Sequence, residues 1–292
     1  MIIDTHVHVV SDDQQKYPRN GLIQRGSGDA NAGQGLTTGA PGEWVQDMTG
    51  ETLLSLNALA GIDKTVLVQA YSAYSYDNSY TADCAAKYPD RFASVCILDP
   101  TQSDAPNQLS YWVTQRGMRG LRLFTITETE GTWLDDPRTF PVWERAASLG
   151  IPICIMALFH QIPRIRTVLE RFPNVTVALD HLAVPRLSAG PPYESVQPLF
   201  GLSRFPNLFL KFSSVSLYAA RRGKSTPKEF FSRLNDRFGA KRLMWGSNFP
   251  ATNDRSLKDQ FDLARQELSF LPQEDQRWIF GETALTLWPM LR

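Results

Sequence analysis

The chain has 292 residues, of which 42% are hydrophobic, and its 30 basic and 30 acidic residues cancel. This length and composition suit one large core, so we expect a single domain over residues 1–292. A balanced charge without a basic run gives no indication of a nucleic-acid or anionic-membrane partner. The first residues include Asp4 and two histidines, so we expect neither a signal peptide nor a membrane span there.

The three cysteines, Cys84, Cys96 and Cys154, lack the spacing of a metal site. An odd number of thiols favours reduced cysteines over a disulfide framework. We therefore expect a soluble, cytoplasmic protein, and the sequence leaves open whether it forms a homo-oligomer.

The N-terminal segment MIIDTHVHVV has the pattern of a strand that packs through one face. Side chains alternate along a strand, which places Asp4, His6 and His8 on one face and Ile3, Thr5, Val7 and Val9 on the other. Two imidazoles at i and i+2 can hold one metal ion or one substrate carbonyl, and a nearby carboxylate can orient an imidazole. We therefore expect the histidine face to carry the chemistry.

A polar stretch from Ser11 to Gly42 follows this strand and shows no hydrophobic period. Long loops of this kind are typically functional, so we predict a lid over the strand end. A helix is predicted over residues 51–60, ending at Gly61.

From there, apolar strands and amphipathic helices alternate at steps of roughly thirty residues. Further strands are predicted at 65–69, 93–98, 120–124, 152–157, 176–179, 208–212 and 242–246. Helices are predicted at 80–87, 107–115, 140–148, 163–171, 197–203 and 228–238, and two more within 257–292. Eight such units predict an α/β fold, a (β/α)8 TIM barrel with a long first loop and C-terminal helices. A doubly wound open sheet is the alternative, disfavoured because no glycine-rich phosphate loop is present.

In such a barrel the active site lies at the carboxyl ends of the strands, where the sequence places all four histidines. These are His6, His8, His160 and His181. Other polar side chains predicted at the same rim are Arg122, Lys211, Ser213 and Asn248. Tyr74 and Tyr76, in a loop after the second strand, are predicted to wall a ring-shaped substrate. Alternation predicts that Asp180 faces away from His181 and that Trp245 faces the barrel exterior.

Four segments resemble the amidohydrolase superfamily: DTHVH, LDHLAVP, RLMWGSNFP and IFGETALTLW. The nearest branch is that of 2-pyrone-4,6-dicarboxylate lactonases, sugar-acid lactonases and galactarolactone isomerases. The resemblance implies a metal held by His6, His8 and a later histidine, which here would be His160 with Zn²⁺. Asn248 stands where the superfamily usually has aspartate, and an amide neither accepts a proton from water nor binds metal as well as a carboxylate. We therefore expect no obligatory cofactor and leave one divalent metal open.

The first hypothesis is a hydrolase that opens a small anionic lactone. His6, His8 and His181 would polarise the ring carbonyl, while Asn248 positions water. Arg122, in a GMRGLR segment resembling that of the pyrone lactonases, would bind the substrate carboxylate, and Lys211 a second oxyanion. Ser213 is predicted to contact the substrate.

Three alternatives remain. The first is metal-independent isomerisation of a sugar-acid lactone, in which a substrate hydroxyl replaces water and Asn248 needs no base. The second is a Zn-dependent decarboxylase or hydratase, for which His160 is the indicative residue. The third is a sugar-acid binding protein without catalytic activity.

Overall fold

The computed structural model describes residues 1–20, 46–127 and 130–292. These residues form an eight-stranded parallel sheet in which every strand pairs with the next in chain order. The strands are β1 Ile3–Val7, β2 Lys64–Val68, β3 Phe92–Ile97, β4 Leu121–Phe124, β5 Ile153–Met156, β6 Val177–Leu179, β7 Leu208–Phe212 and β8 Leu243–Trp245. The predicted (β/α)8 barrel is confirmed.

The first and last strands meet at their carboxyl ends and close the barrel. Val7 forms a parallel bridge with Phe249. The backbone N–H of Asn248 donates to the carbonyl of His6, and that of His8 donates to Phe249, both at 2.9 Å. These bonds bring His6 of β1 and His8, just after it, beside Asn248.

Helices cover the outside of the sheet. They are α1 Gly50–Ala60, α2 Tyr71–Tyr74, α3 Ser79–Lys87, α4 Ala105–Thr114, α5 Phe140–Leu149, α6 Ile162–Arg171, α7 Gln197–Gly201, α8 Ser214–Ala220, α9 Pro227–Phe238, α10 Leu257–Glu267, α11 Gln273–Arg277 and α12 Thr283–Leu287. Gly61 and Gly150 end α1 and α5 in the left-handed conformation that glycine adopts without strain.

The structure adds elements that hydrophobic periodicity did not predict. Helices α2 and α8 are too short to show a helical period. The tail contains three short helices instead of two, and a π-helical turn over Trp278–Glu282 joins the last two. Most of the predicted lid lies outside the described residues. Within the described part of the chain, no helix is long and apolar enough to span a membrane.

The barrel interior is a small apolar cluster that includes Val66, Val95, Cys154 and Ala178, with residues of α12 packed against it. Trp288, just after α12, donates from its indole N–H to the carbonyl of Arg119 at 3.0 Å. Since Arg119 precedes β4, Trp288 lies at the amino ends of the strands. It therefore forms the floor of the barrel, opposite the histidines.

The prediction that Ile3 shares a face with Val7 and Val9 was wrong. The pairing of β1 with β2 shifts register between Asp4 and Val7. As a result, Ile3 packs in the interior cluster, whereas Val7 and Val9 pack in the outer one. The prediction for Trp245 is confirmed, because its ring lies outside the barrel against Phe261 of α10, at 5.1 Å between centroids.

Candidate active site

Three of the four histidines form one buried group at the carboxyl end of the barrel. The ring of His6 lies 5.1 Å from that of His8 and 4.8 Å from that of His181, between centroids. None of the three is more than 4% exposed. His160, in the turn Phe159–Gln161 after β5, is exposed.

Asp180 connects this group to two buried cations. Its Oδ1 lies 3.5 Å from Nδ1 of His6 and 3.2 Å from Nζ of Lys211. Its Oδ2 accepts a hydrogen bond from Nε of Arg122 at 2.8 Å. Burial raises the pKa of Asp180, but the charges of Lys211 and Arg122, together with His6, outweigh it and hold this pKa well below its usual range. Asp180 is therefore a carboxylate at neutral pH.

The prediction that Asp180 faces away from the site was wrong. Strand β6 ends at Leu179, so alternation does not continue through His181. His181, Leu182, Ala183 and Val184 follow in the left-handed region, with φ between 52° and 58°. This turn brings consecutive side chains, Asp180 and His181, to the same site. Counting instead from Ala178, which faces the barrel interior, would have placed Asp180 inside.

The sequence suggests that Asp4 orients an imidazole, but in the structure its carboxylate bonds to backbone amides instead. Its Oδ1 accepts hydrogen bonds from the backbone amides of His6 at 3.1 Å and Ser247 at 2.9 Å. Burial raises the pKa of Asp4 to about 6. Asp4 thus fixes the junction of β1 and β8, while Asp180 contacts the His6 ring.

All three histidines are neutral at neutral pH. Burial, aided by the charge of Arg122, lowers the pKa of His8 to about 4 and that of His181 to about 3. Burial also lowers the pKa of His6 well below its usual value, despite Asp180. Neutral imidazoles can each donate one proton and accept another, so this group suits proton transfer.

Hydrogen bonds orient two of the rings. Nδ1 of His8 lies 2.8 Å from the carbonyl of Val68, so in neutral His8 this nitrogen carries the proton. Nδ1 of His181 lies 2.9 Å from Oγ of Ser213, which was predicted to contact the substrate. Ser213 thus holds a histidine in place.

His6 differs from its neighbours, because neither ring nitrogen has a hydrogen-bond partner among the described residues. Nδ1 faces Asp180 across 3.5 Å, which is long for a hydrogen bond. Buried polar atoms are almost always satisfied, and an unsatisfied one calls for a ligand, a water or a catalytic role. Nε2 of His6 is such an atom.

The two cations occupy different depths. Arg122 is 3% exposed, and its guanidinium carbon lies 5.0 Å from the centroid of the Phe124 ring. Lys211 is 1% exposed; it donates to Sγ of Cys154 at 3.3 Å and lies 5.2 Å from the centroid of Trp288. Lys211 therefore sits between the barrel floor and Asp180.

Asn248 also touches the histidine group. It lies in the left-handed region, with φ of 64°, which asparagine tolerates better than most residues. Its side-chain amide donates to Oγ1 of Thr252 at 2.9 Å and is hydrogen-bonded to His8. The amide is thus held rigidly beside the imidazoles.

The two predicted aromatic residues have different surroundings. Tyr74 is buried, and its hydroxyl accepts a hydrogen bond from the backbone of Ser11 at 2.7 Å, which anchors the chain after β1. Tyr76 is 40% exposed and meets Tyr71 edge-on at 5.3 Å. Tyr71 lies on Phe124 at 5.0 Å, a contact that sequence reasoning missed.

The donor set does not fit a divalent metal ion. Among the residues that the structure describes, no group of three or more His, Cys, Asp or Glu side chains is arranged to hold one. The carboxylate beside His6 is already paired with Arg122 and Lys211, and these positive charges oppose a further cation. Asn248 offers a neutral amide, a poorer ligand than a carboxylate.

Comparisons with known proteins agree with this architecture. The chain is 26% identical to L-fucono-1,5-lactonase from Burkholderia ambifaria over 208 residues, which is 71% of each chain. It is 25% identical to D-galactarolactone isomerase from Agrobacterium fabrum over 224 residues, 74% of this chain and 73% of the relative. The fold matches a probable 2-pyrone-4,6-dicarboxylic acid hydrolase from Acinetobacter baumannii with bound citric acid, at a TM-score of 0.75 and 20% identity over 99% of both chains. The amidohydrolase family profile matches residues 3–290, so the chain belongs to the amidohydrolase family.

Proposed function

We propose that the protein hydrolyses a small sugar-acid lactone that carries a free carboxylate. The observation that supports this most is Nε2 of neutral His6, which has no hydrogen-bond partner within residues 1–20, 46–127 and 130–292, with ionised Asp180 on the Nδ1 side of the ring. The two sequence relatives named above act on sugar-acid lactones, which supports that class, whereas the free carboxylate is inferred from the buried guanidinium of Arg122.

In this proposal His6 is the general base. Asp180 lies on the Nδ1 side of the ring and favours the tautomer with its proton there. Nε2 then accepts the proton of a water as its oxygen attacks the lactone carbonyl. When the bond from the carbonyl carbon to the ring oxygen breaks, the same nitrogen returns the proton to that oxygen.

Arg122 is the proposed carboxylate-binding residue. Its Nε already donates to Asp180, which fixes the plane of the guanidinium. The terminal nitrogens of a guanidinium held in this way can bind both oxygens of a substrate carboxylate. Lys211, deeper in the barrel, acts in this proposal as the counter-charge of Asp180 and not as a second oxyanion site.

His181 and Asn248 are the proposed groups that polarise the carbonyl. If Ser213 donates its hydroxyl proton to Nδ1 of His181, Nε2 of that ring carries a proton and can donate to the carbonyl oxygen. The rigid amide of Asn248 positions the attacking oxygen. These groups stabilise the negative charge that develops on the carbonyl oxygen in the transition state.

A second reaction, isomerisation of the lactone, is favoured by one observation. The residue at the end of β8 is the neutral amide Asn248, hydrogen-bonded to Thr252 and His8. A tethered substrate hydroxyl needs less activation than water, because it is already placed near the carbonyl. His6 would accept the hydroxyl proton in the same way.

The test is a product analysis. The wild-type chain is incubated with 1,4- and 1,5-lactones of aldaric and aldonic acids, and the products are followed by ¹³C NMR. We expect free acid from a carboxylated lactone; interconversion of the two lactones without free acid would replace hydrolysis by isomerisation. His6→Gln should abolish turnover, whereas His160→Gln, at an exposed position, is the matched control and should retain it. Absence of turnover on every lactone would contradict the proposal.

A further inference from the structure

A line of aromatic rings leads from the buried arginine to the protein surface. Phe124 lies against the Arg122 guanidinium at 5.0 Å, Tyr71 lies on Phe124 at 5.0 Å with 32° between the ring planes, and Tyr76 meets Tyr71 edge-on at 5.3 Å. We call Phe124, Tyr71 and Tyr76 the aromatic wall.

The register of the sheet places Phe124, the inner residue of the aromatic wall, at the mouth of the barrel. Arg122 pairs with Cys154, which belongs to the interior cluster, and Phe124 pairs with Met156 two residues further along β4 and β5. Residues two apart on a strand share a face, so Phe124 faces the barrel axis one layer above Arg122.

Arg122 also connects the aromatic wall to the histidines through a shared contact with Asp180. Its Nε donates to Oδ2 of Asp180 at 2.8 Å, and Oδ1 of the same carboxylate lies 3.5 Å from Nδ1 of His6. Since the guanidinium lies 5.0 Å from the Phe124 ring, a ligand held by Arg122 would lie near that ring.

Exposure increases along the wall. Arg122 is buried, Phe124 and Tyr71 are half-buried, and Tyr76 is 40% exposed. Tyr74, from the same helix as Tyr71, instead packs in a separate buried cluster with Val10 and Tyr17. The aromatic wall thus extends from the buried arginine to the protein surface.

We propose that the aromatic wall binds the flat C–H face of the lactone ring and determines specificity for cyclic over open-chain sugar acids. This assignment rests on the proposed lactone chemistry. A ring whose carboxylate lies on Arg122 would place one face against Phe124 and Tyr71 and its carbonyl toward His6. The open-chain acid keeps the carboxylate but loses the flat face, so the wall holds the product less tightly than the lactone.

The experiment compares Tyr71→Leu and Phe124→Leu with wild type, because leucine keeps the apolar bulk and removes the aromatic face. We expect KM for the carboxylated lactone to rise about three- to tenfold, as for the loss of an aromatic contact. We expect kcat to change less than about twofold. The inhibition constant of the open-chain acid should also change less than about twofold relative to wild type, since the acid does not stack on the rings. Tyr111→Leu is the matched control: it removes an exposed tyrosine that contacts Trp112 on α4, and should leave KM unchanged.

The outcomes separate the two proposals. No turnover by the wild-type chain on any lactone overturns the proposed function and this assignment together. Turnover by the wild type with an unchanged KM in a folded Tyr71→Leu variant overturns the role of the wall alone. An equal loss of affinity for lactone and open-chain acid in both variants overturns the specificity for the ring.

Discussion

Nδ1 of His6 faces Oδ1 of Asp180 across 3.5 Å, in a part of the barrel where both side chains are at most 1% exposed. Arg122 and Lys211 form ion pairs with Asp180 and stabilise its ionised form. The carboxylate on the Nδ1 side of the neutral imidazole favours the tautomer with its proton on Nδ1 and leaves Nε2 without a proton. In the proposed reaction the imidazole is the proton acceptor, in a site where the residue after β8 is the neutral amide Asn248.

Replacing Asp180 should affect both stability and catalysis. In Asp180→Asn the two buried cations lose their carboxylate, which should lower the free energy of unfolding by about 3–5 kcal/mol. The preference of His6 for one tautomer also weakens, so kcat should fall by about 100-fold or more. Chemical denaturation and steady-state kinetics measure the two effects. Asp136→Asn, which removes an exposed pair with Arg138, is the control and should change neither by much.

The depressed histidine pKa values predict the dependence of stability on pH. Between pH 6.5 and about 4, unfolded chains bind a proton at His8 that the folded protein does not, so the free energy of unfolding falls as the pH falls. A shift of one pKa unit corresponds to about 1.4 kcal/mol, so His8 alone accounts for about 3 kcal/mol over this interval. Urea titrations at pH 7.5 and 4.5 measure the difference, and His8→Gln should reduce it. An equal difference in the free energy of unfolding between the two pH values in wild type and His8→Gln would contradict the lowered pKa of His8.

The same values predict the pH profile of activity. Because burial holds the pKa of His6, the proposed general base, well below its usual value, kcat/KM should not show an acid limb at the ordinary histidine pKa of about 6.5. Rates measured from pH 8 down to 5, on protein shown by circular dichroism to be folded, test this. A half-maximal rate near pH 6.5 would indicate exposed, ordinary imidazoles.

The left-handed turn after β6 predicts that substituting one of its residues with glycine does not lower the stability of the protein. Ala183 is buried with φ of 58°, a conformation that costs a non-glycine residue about 1–2 kcal/mol. Ala183→Gly relieves this strain and should leave the free energy of unfolding unchanged or raise it by about 1 kcal/mol. Ala146, equally buried but within α5, is the matched control, and Ala146→Gly should lower stability by about 1 kcal/mol. Thermal denaturation of both variants compares them; equal destabilisation would show that the turn is not strained.

The sequence predicted the barrel because apolar strands and helices alternate at regular steps, and because residues such as Gly61 and Gly150 end helices by their own conformational freedom. It also predicted that His6, His8 and His181 lie near one another. It did not predict Asp180, because the direction of a side chain at a strand end depends on where the strand stops, which the fold decides. The pairing of Lys211 with Asp180 joins β7 to the residue after β6, and the stacking of Tyr71 on Phe124 joins α2 to β4. Such contacts depend on tertiary packing and leave no local pattern.

In the proposed reaction, neutral histidines, Asp180 and Arg122 open a carboxylated lactone without a metal ion. The most direct measurement determines the metal content of protein purified without chelator and, on the same preparation, the rate of lactone turnover before and after chelation. We expect less than stoichiometric metal and an unchanged rate. Near-stoichiometric zinc, with activity lost on chelation and restored by Zn²⁺, would contradict it.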